Sequence, residues 1–257
     1  MKFKKILLTG ASGKLGQAII SSRYFSSLLT PSRQELDITK SISIEKFFGK
    51  NNIDAVINCA ALARMSECEA NPDKAILVNT IGTANLVIET LKKESKIKKS
   101  IRFVHISTDG VYTGVKGNYS EQDKTIPYNK YGWTKLGAEC AVNLLSNFCI
   151  IRTSFFDPEN IKFKDSGIDA YSSKVPIKYL ARSIARMLEH NFVGTINIGS
   201  ERKSDYERYK EFKPSLKPCK LKDTLKTVNF PMARDSSMNC SLWEKIQLSS
   251  KSKQFYQ

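Results

Sequence analysis

Tyr131 and Lys135 stand four residues apart in Tyr131-Gly-Trp-Thr-Lys135. On a helix that spacing puts both side chains on one face. An ammonium beside a phenol favours the phenolate and lowers the tyrosine pKa. Tyr131 then becomes a usable proton donor and acceptor near neutral pH. Such a pair is common on protein surfaces, so what surrounds it decides its meaning. It follows Ser107-Thr108-Asp109, which closes an apolar run, and both follow a glycine-rich stretch near the start of the chain.

That stretch is Gly10-Ala11-Ser12-Gly13-Lys14-Leu15-Gly16, a G-x-x-G-x-x-G spacing between the apolar run Ile6-Leu7-Leu8 and a segment with helical periodicity. Glycines there turn the chain sharply, let backbone approach a pyrophosphate and let a helix lie close to a sheet. The helix N-terminus adds free N–H groups and the positive end of its dipole. The position between strand and helix supports a dinucleotide-binding loop over a simple turn. The next strand runs into Thr30-Pro31-Ser32-Arg33 with no acidic residue at its tip. An acid there binds a ribose 2′-hydroxyl, and a base accepts a 2′-phosphate. Arg33 therefore favours NADPH, with NADH as the alternative, and Asp37 and Ile38 fall where the adenine would lie.

These residues need a scaffold. Strands are expected near 3–8, 26–30, 54–58, 101–106, 148–152 and 194–198. Helices are expected at 15–22, 41–48, 75–91, 131–145 and 176–190. Alternation of this kind implies right-handed βαβ units and a parallel sheet. The expected fold is α/β, a Rossmann-type doubly wound parallel sheet. Residues 199–229 are rich in Lys, Pro and Ser, with weak periodicity.

The chain has 257 residues, enough for one large domain or two small ones. Hydrophobic residues make up 41% and charged residues 26%, which excludes wholesale disorder and disulfide-scaffold classes. The net charge is +16, split as +8 in residues 1–150 and +8 in 151–257. Such a surplus favours anionic partners. No nucleic-acid motif accompanies it, so a solvated basic surface is the plain reading. Six scattered cysteines with no C-x-x-C pair, and only two histidines, give no metal set. His105, within a strand, reads as a hydrogen-bonded core histidine. No run approaches the ~20 apolar residues of a membrane span. The expected compartment is the cytoplasm, with no membrane or nucleic-acid partner.

Several stretches resemble the extended short-chain dehydrogenase/reductases, most closely the dTDP-4-dehydrorhamnose reductase family. They are T-G-A-S-G-K-L-G at 9–16, E-L-D-I-T at 35–39, N-C-A-A at 58–61 and V-N-T-I-G-T-A-N-L at 78–86. S-T-D-G-V-Y at 107–112, P-Y-N-K-Y-G-W-T-K at 127–135 and I-R-T-S at 151–154 complete the series. The resemblance implies an NADPH-dependent reductase of a nucleotide-linked 4-keto-6-deoxy sugar, with a nucleotide sugar as substrate and a homodimer left open. It implies that Thr108 binds the substrate carbonyl, Tyr131 protonates the nascent alkoxide, and Lys135 tunes Tyr131 and holds the nicotinamide ribose. Gly10, Ser12, Gly13, Lys14, Leu15 and Gly16 would cradle the pyrophosphate, with Ala60 and Ala61 along the cofactor. Asp109 would face the substrate, and Arg234 would meet its diphosphate.

The related 4,6-dehydratases carry T-D-E, using both acids to eliminate water. Thr108-Asp109-Gly110 lacks the second carboxylate, so dehydration is not expected. Epimerisation, with the same tyrosine and lysine, is an alternative, as is a non-catalytic NADP-binding regulatory subunit. After Ser154 the resemblance thins. Phe155 to Gly167 is short and polar where these reductases have a helix, and 169–176 looks like an altered form of their D-x-x-x-x-P stretch. The expected organisation is a cofactor domain at 1–154, completed by 176–198, and a small, trimmed substrate lobe from 155–175 and 199–257.

Overall fold

Three branched apolar side chains in Ile6-Leu7-Leu8 build the first strand, β1 (Ile6–Thr9), with both faces buried. The computed structural model describes residues 2–252; Met1 and residues 253–257 of the expected organisation lie outside the described residues. Successive strand side chains point to opposite faces. Ile6 and Leu8 accordingly join one core layer and Leu7 the other. The same alternation recurs in β3 and β4 below, where Ala55 and Ile57 oppose Val56, and Val104 and Ile106 oppose Phe103. A sheet buried on both faces needs helices on both, as parallel sheets do.

The order of elements follows from that need. α1 (Lys14–Ser21) follows β1, and β2 is reduced to Leu28–Leu29. α2 (Ser41–Lys50) and β3 (Ala55–Asn58) come next, then α3 (Met65–Ala70) and α4 (Pro72–Ala75). α4 continues through a π-helical turn, Ile76–Ile81, into α5 (Gly82–Ile97), so one helical path replaces the expected 75–91. β4 (Arg102–Ile106), α6 (Lys130–Val142) and β5 (Phe148–Thr153) follow. Past β5 come four short strands, β6 (Phe155–Phe156), β7 (Asp165–Gly167), β8 (Tyr171–Ser172) and β9 (Val175–Pro176). α7 (Ile177–Glu189) and β10 (Gly194–Ile198) return to the main sheet, and β11 (Lys203–Ser204), α8 (Asp205–Lys210), β12 (Lys217–Cys219) and α9 (Leu221–Thr224) leave it again. α10 (Ser241–Ser252) is the last described element.

The main sheet has six parallel strands in the order β10-β5-β4-β3-β1-β2. Consecutive connections run outward from β1 in both directions. The crevice where β1 and β3 diverge, at their carboxyl ends, is where such sheets bind ligands. The short strands pair in twos, β6 with β9, β7 with β12 and β8 with β11. Phe156, Tyr209 and Leu216 form a small third core among them. Residues 157–164 contain no helix, in keeping with their polar composition.

Candidate active site

Gly13 opens α1 as its N-cap without a side-chain cap, so the first-turn N–H groups face the crevice with no partner from a capping residue. Gly10 lies at φ +69°, and a Cβ on it would fall 2.7 Å from Ala60 N. A Cβ on Gly16 would fall 2.3 Å from Gly10 O and 2.7 Å from the Ala11 Cα. The loop is therefore folded as tightly as glycine allows. This uncapped, backbone-lined cradle fits a pyrophosphate. Beside it a cavity of about 270 Å³ is lined by Gly10, Ser12, Gly13, Arg33, Asp37, Ile38, Ala60 and Ala61, among others. Eight of the residues expected to meet a cofactor thus share one pocket.

Arg33 and Asp37 face each other there, Nε to Oδ2 at 3.7 Å. Asp37 Oδ1 accepts from Thr39 N and Oγ1 at 3.0 and 2.7 Å. Burial works to raise the Asp37 pKa, but the Thr39 hydrogen bonds, with Arg33 and Lys40, outweigh it and hold the carboxyl below its ordinary value. The acid the sequence did not place at the strand tip is thus nearby, with one oxygen engaged by its own turn. Arg33 remains largely exposed at the pocket wall.

A larger cavity, about 770 Å³, continues from the glycine loop past the strand ends. Lys14, Leu15, Gly16, Ala61, Thr108, Asp109 and Tyr131 line it, and so do Arg64, Phe155 and Lys162, which the sequence reading did not single out. Thr108 caps the 3-10 turn Asp109–Val111, its Oγ1 accepting from Gly110 N at 3.0 Å and donating to Asp109 Oδ1 at 3.1 Å. At the start of α6, Asn129 Oδ1 accepts from Gly132 N at 2.7 Å. Gly132 lets this helix lie on the turn, since a Cβ there would sit 2.1 Å from Gly110 O. That close approach sets Tyr131 and Thr108 along the wall of the same cavity.

Burial and the neighbouring Asp109 push the Tyr131 pKa above its ordinary value, and the Thr108 hydroxyl only partly offsets them. This corrects the expectation that Lys135 lowers it. Lys135 is 2% exposed, and its Nζ lies 3.1 Å from His105 Nε2. Burial brings Lys135 down to about 8, against the opposing pull of Glu139. Asp109 is buried and its pKa is raised, chiefly by desolvation; its Oδ2 accepts from Ser236 Oγ at 2.7 Å. Ser236 closes a pocket with Tyr128, Lys174 and Asp205, in which Lys174 Nζ meets Asp205 Oδ2 at 2.7 Å. Arg234 is exposed and does not line these cavities; Ser236, two residues on, is the part of this segment that reaches the site. Lys174 and Ser236 fall within stretches that resemble the family's, 169–176 and 233–240, but neither they nor Asp205 were singled out, because their meeting depends on how short strands pair.

A second buried group supports the strand ends. Glu139 accepts from Ser107 Oγ at 2.5 Å and from Arg152 Nη2 at 2.7 Å, while Arg152 Nη1 donates to Tyr112 Oη at 3.0 Å. Asn79, in the π-turn, accepts from Leu62 N at 2.7 Å and donates to Thr134 Oγ1 at 2.9 Å. It ties α6 to the segment after β3.

A six-stranded parallel sheet, an uncapped glycine loop at its switch point and a threonine–tyrosine pair beside it define an extended short-chain dehydrogenase/reductase. The family model described as the RmlD substrate binding domain matches residues 4–162, and the chain belongs to that family. It is 35% identical over 154 residues to a dTDP-4-keto-6-deoxy-D-glucose reductase of Streptomyces niveus, a match covering 58% of this chain and 51% of that one. The chain thus spans about half the length of the curated reductase it matches. A methionine adenosyltransferase 2 subunit beta from Mus musculus is 26% identical over 239 residues, covering 79% of this chain and 70% of that one. The crystal structure of a hypothetical dTDP-4-dehydrorhamnose reductase from Sulfolobus tokodaii is 29% identical and superposes with a TM-score of 0.82. That likeness covers 95% of this chain and 94% of that one. Among the described residues, no helix is long and apolar enough to cross a membrane.

Proposed function

We propose that this protein is an NADPH-dependent reductase of a nucleotide-linked 4-keto-6-deoxy sugar, acting in deoxysugar or polysaccharide synthesis. The observation that carries the reading is the Tyr131–Thr108 pair set against the glycine loop in one continuous cleft. The raised pKa of Tyr131 suits it to give a proton, because it stays protonated at neutral pH. The hydride comes from the reduced nicotinamide of NADPH. Thr108 Oγ1 orients the substrate carbonyl, and Tyr131 Oη delivers the proton to its oxygen. Gly110 offers no carboxylate where elimination chemistry needs one. With NADPH bound, Lys135 would hold the ribose and Arg33 would accept the 2′-phosphate with its fork of donors.

The cofactor half is residues 1–154 with 176–198. The substrate half is 155–175 with 199–257, and the buried Asp109–Ser236 hydrogen bond, which joins it to the cofactor half, supports placing the sugar between them. The work of such an enzyme belongs in the cytoplasm, where its soluble nucleotide-sugar substrate would be.

The test is loss of NADPH absorbance with a panel of dTDP-, UDP- and GDP-linked 4-keto-6-deoxy sugars. Turnover with one of them, lowered at least about 100-fold in Tyr131→Phe while NADPH binding persists, supports the reading. NADPH binding without turnover on any of them overturns it. The latter result would favour a regulatory role, which the longer match to the methionine adenosyltransferase beta subunit supports independently.

A further inference from the structure

The reading above leaves His105 without a part, yet it is fully buried and touches Lys135. Its other nitrogen, Nδ1, lies 3.2 Å from Asn58 Nδ2. Asn58, also fully buried, donates from Nδ2 to Thr83 Oγ1 at 3.1 Å and accepts at Oδ1 from Thr9 Oγ1 at 2.6 Å. A hydrogen-bonded line therefore crosses three adjacent strands, from Lys135 through β4 and β3 to Thr9 on β1, next to the glycine loop.

The donors and acceptors in this line restrict one another. A neutral imidazole has one N–H and one lone pair. With Asn58 Nδ2 donating to Nδ1, the histidine proton must sit on Nε2. Nε2–H then points at Lys135 Nζ, which accepts only as a neutral amine. If Lys135 is an ammonium it must donate, Nε2 must accept, and the proton must sit on Nδ1. Nδ1–H then needs Oδ1 of Asn58, so the amide turns over. Both ends of the amide meet threonine hydroxyls, and a hydroxyl both donates and accepts. Thr9 and Thr83 can therefore meet the amide in either orientation.

We propose that His105 is a positioning residue for Lys135 that exchanges its tautomer, with a turn of the Asn58 amide, as Lys135 gains or loses a proton. Between the two states Lys135 takes up one proton from solvent and the ring proton moves from Nε2 to Nδ1, so the imidazole is neutral at both ends and one proton is gained in all. The charged state holds the ammonium by a hydrogen bond along one direction, fixing the lysine that the proposed function assigns to the ribose. The inference rests on that reading for its use in catalysis, but its geometry does not depend on it.

The groups facing the pair are few. Lys135 is met by His105 from β4, by Cys59 beyond β3 and by Glu139 from its own helix. Burial drives the Cys59 thiol up to about 12, so it stays neutral while Lys135 titrates. Glu139 is paired with Arg152, Oε2 to Nη2 at 2.7 Å. Burial first, and the Lys135 charge second, keep His105 well below its ordinary pKa, which favours the neutral ring over an imidazolium.

The experiment is side-chain nitrogen NMR of the ligand-free full chain labelled with ¹⁵N-histidine, with His190→Gln to assign the two histidines. The expected result is the Nδ1–H tautomer of His105 near pH 6 and the Nε2–H tautomer near about pH 10. The crossover should coincide with the Lys135 ¹³Cε titration. Lys135→Met should abolish the crossover. Asn58→Asp, whose carboxylate only accepts, should lock the Nδ1–H form at both pH values. One unchanging tautomer in the wild-type chain, an imidazolium near pH 6, or an unlocked ring in Asn58→Asp overturns the proposal. Because no substrate is present, a silent reductase assay leaves this outcome readable, and a failed tautomer exchange leaves the reductase reading intact.

Discussion

Replacing Lys135 by methionine keeps the length of the side chain and removes a charge that the fold buries. Lys135 is 2% exposed and titrates at about 8 instead of the usual 10.5. At 1.36 kcal/mol per pH unit, that difference is worth about 3 kcal/mol. The sign follows from proton binding. Between those two values the unfolded chain holds the lysine proton more tightly than the folded one, so stability rises with pH across that window. Below about pH 8 the wild type bears the whole cost, and above about 10.5 it bears none. Lys135→Met has no such dependence. The stability of the variant relative to wild type should therefore fall by about 2–3 kcal/mol between pH 7 and pH 10. Loss of the His105 partner lowers the variant by a roughly constant amount, which cancels from that slope. Urea unfolding of both proteins at each pH measures it through the linear extrapolation. Parallel stabilities at both pH values, or a variant that gains stability relative to wild type toward pH 10, would refute the reasoning. The same variant should lose NADPH affinity, so the site lysine is held against the stability of the fold.

Gly16→Ala should abolish nucleotide binding, by at least about 100-fold in Kd, because its Cβ would meet Gly10 O at 2.3 Å; a fluorescence titration with NADPH checks it. Arg33→Ala should weaken NADPH by about 10–100-fold while leaving NADH within about twofold, the loss of a charge-assisted contact to a 2′-phosphate. Glu139→Gln strands the buried Arg152 guanidinium without an anion and should cost about 3–5 kcal/mol in chemical unfolding. Arg152→Met in the same chain should recover much of it.

The layer structure was readable because it rests on local signals. The strand alternation at Ile6-Leu7-Leu8 and the 3.6 spacing in Ile177, Leu180, Ile184 and Leu188 each specify a face, and the folded chain uses those faces. The glycine loop was readable because backbone closeness at Gly10 and Gly16 demands glycine, whereas Thr108 entered only through the family resemblance. Two things were not legible. Lys135 turns to His105, a neighbour that nothing in a Y-x-x-x-K spacing encodes. Lys174, Asp205 and Ser236 meet through ladders of two or three residues, too short to show a period. Arg234 was chosen by motif likeness, whereas the backbone of its segment presents Ser236 instead.

The contact between Ser236 and Asp109 spans 127 residues of chain. The glycine loop, Thr108, Tyr131 and Lys135 are all translated before residue 136. Ser236 leaves the ribosome about 100 residues later, roughly 5–20 s at ordinary elongation rates. Ser236 is therefore added after every strand of the main sheet, the last of which ends at Ile198, and Asp109 spends that interval without the partner that later fixes it.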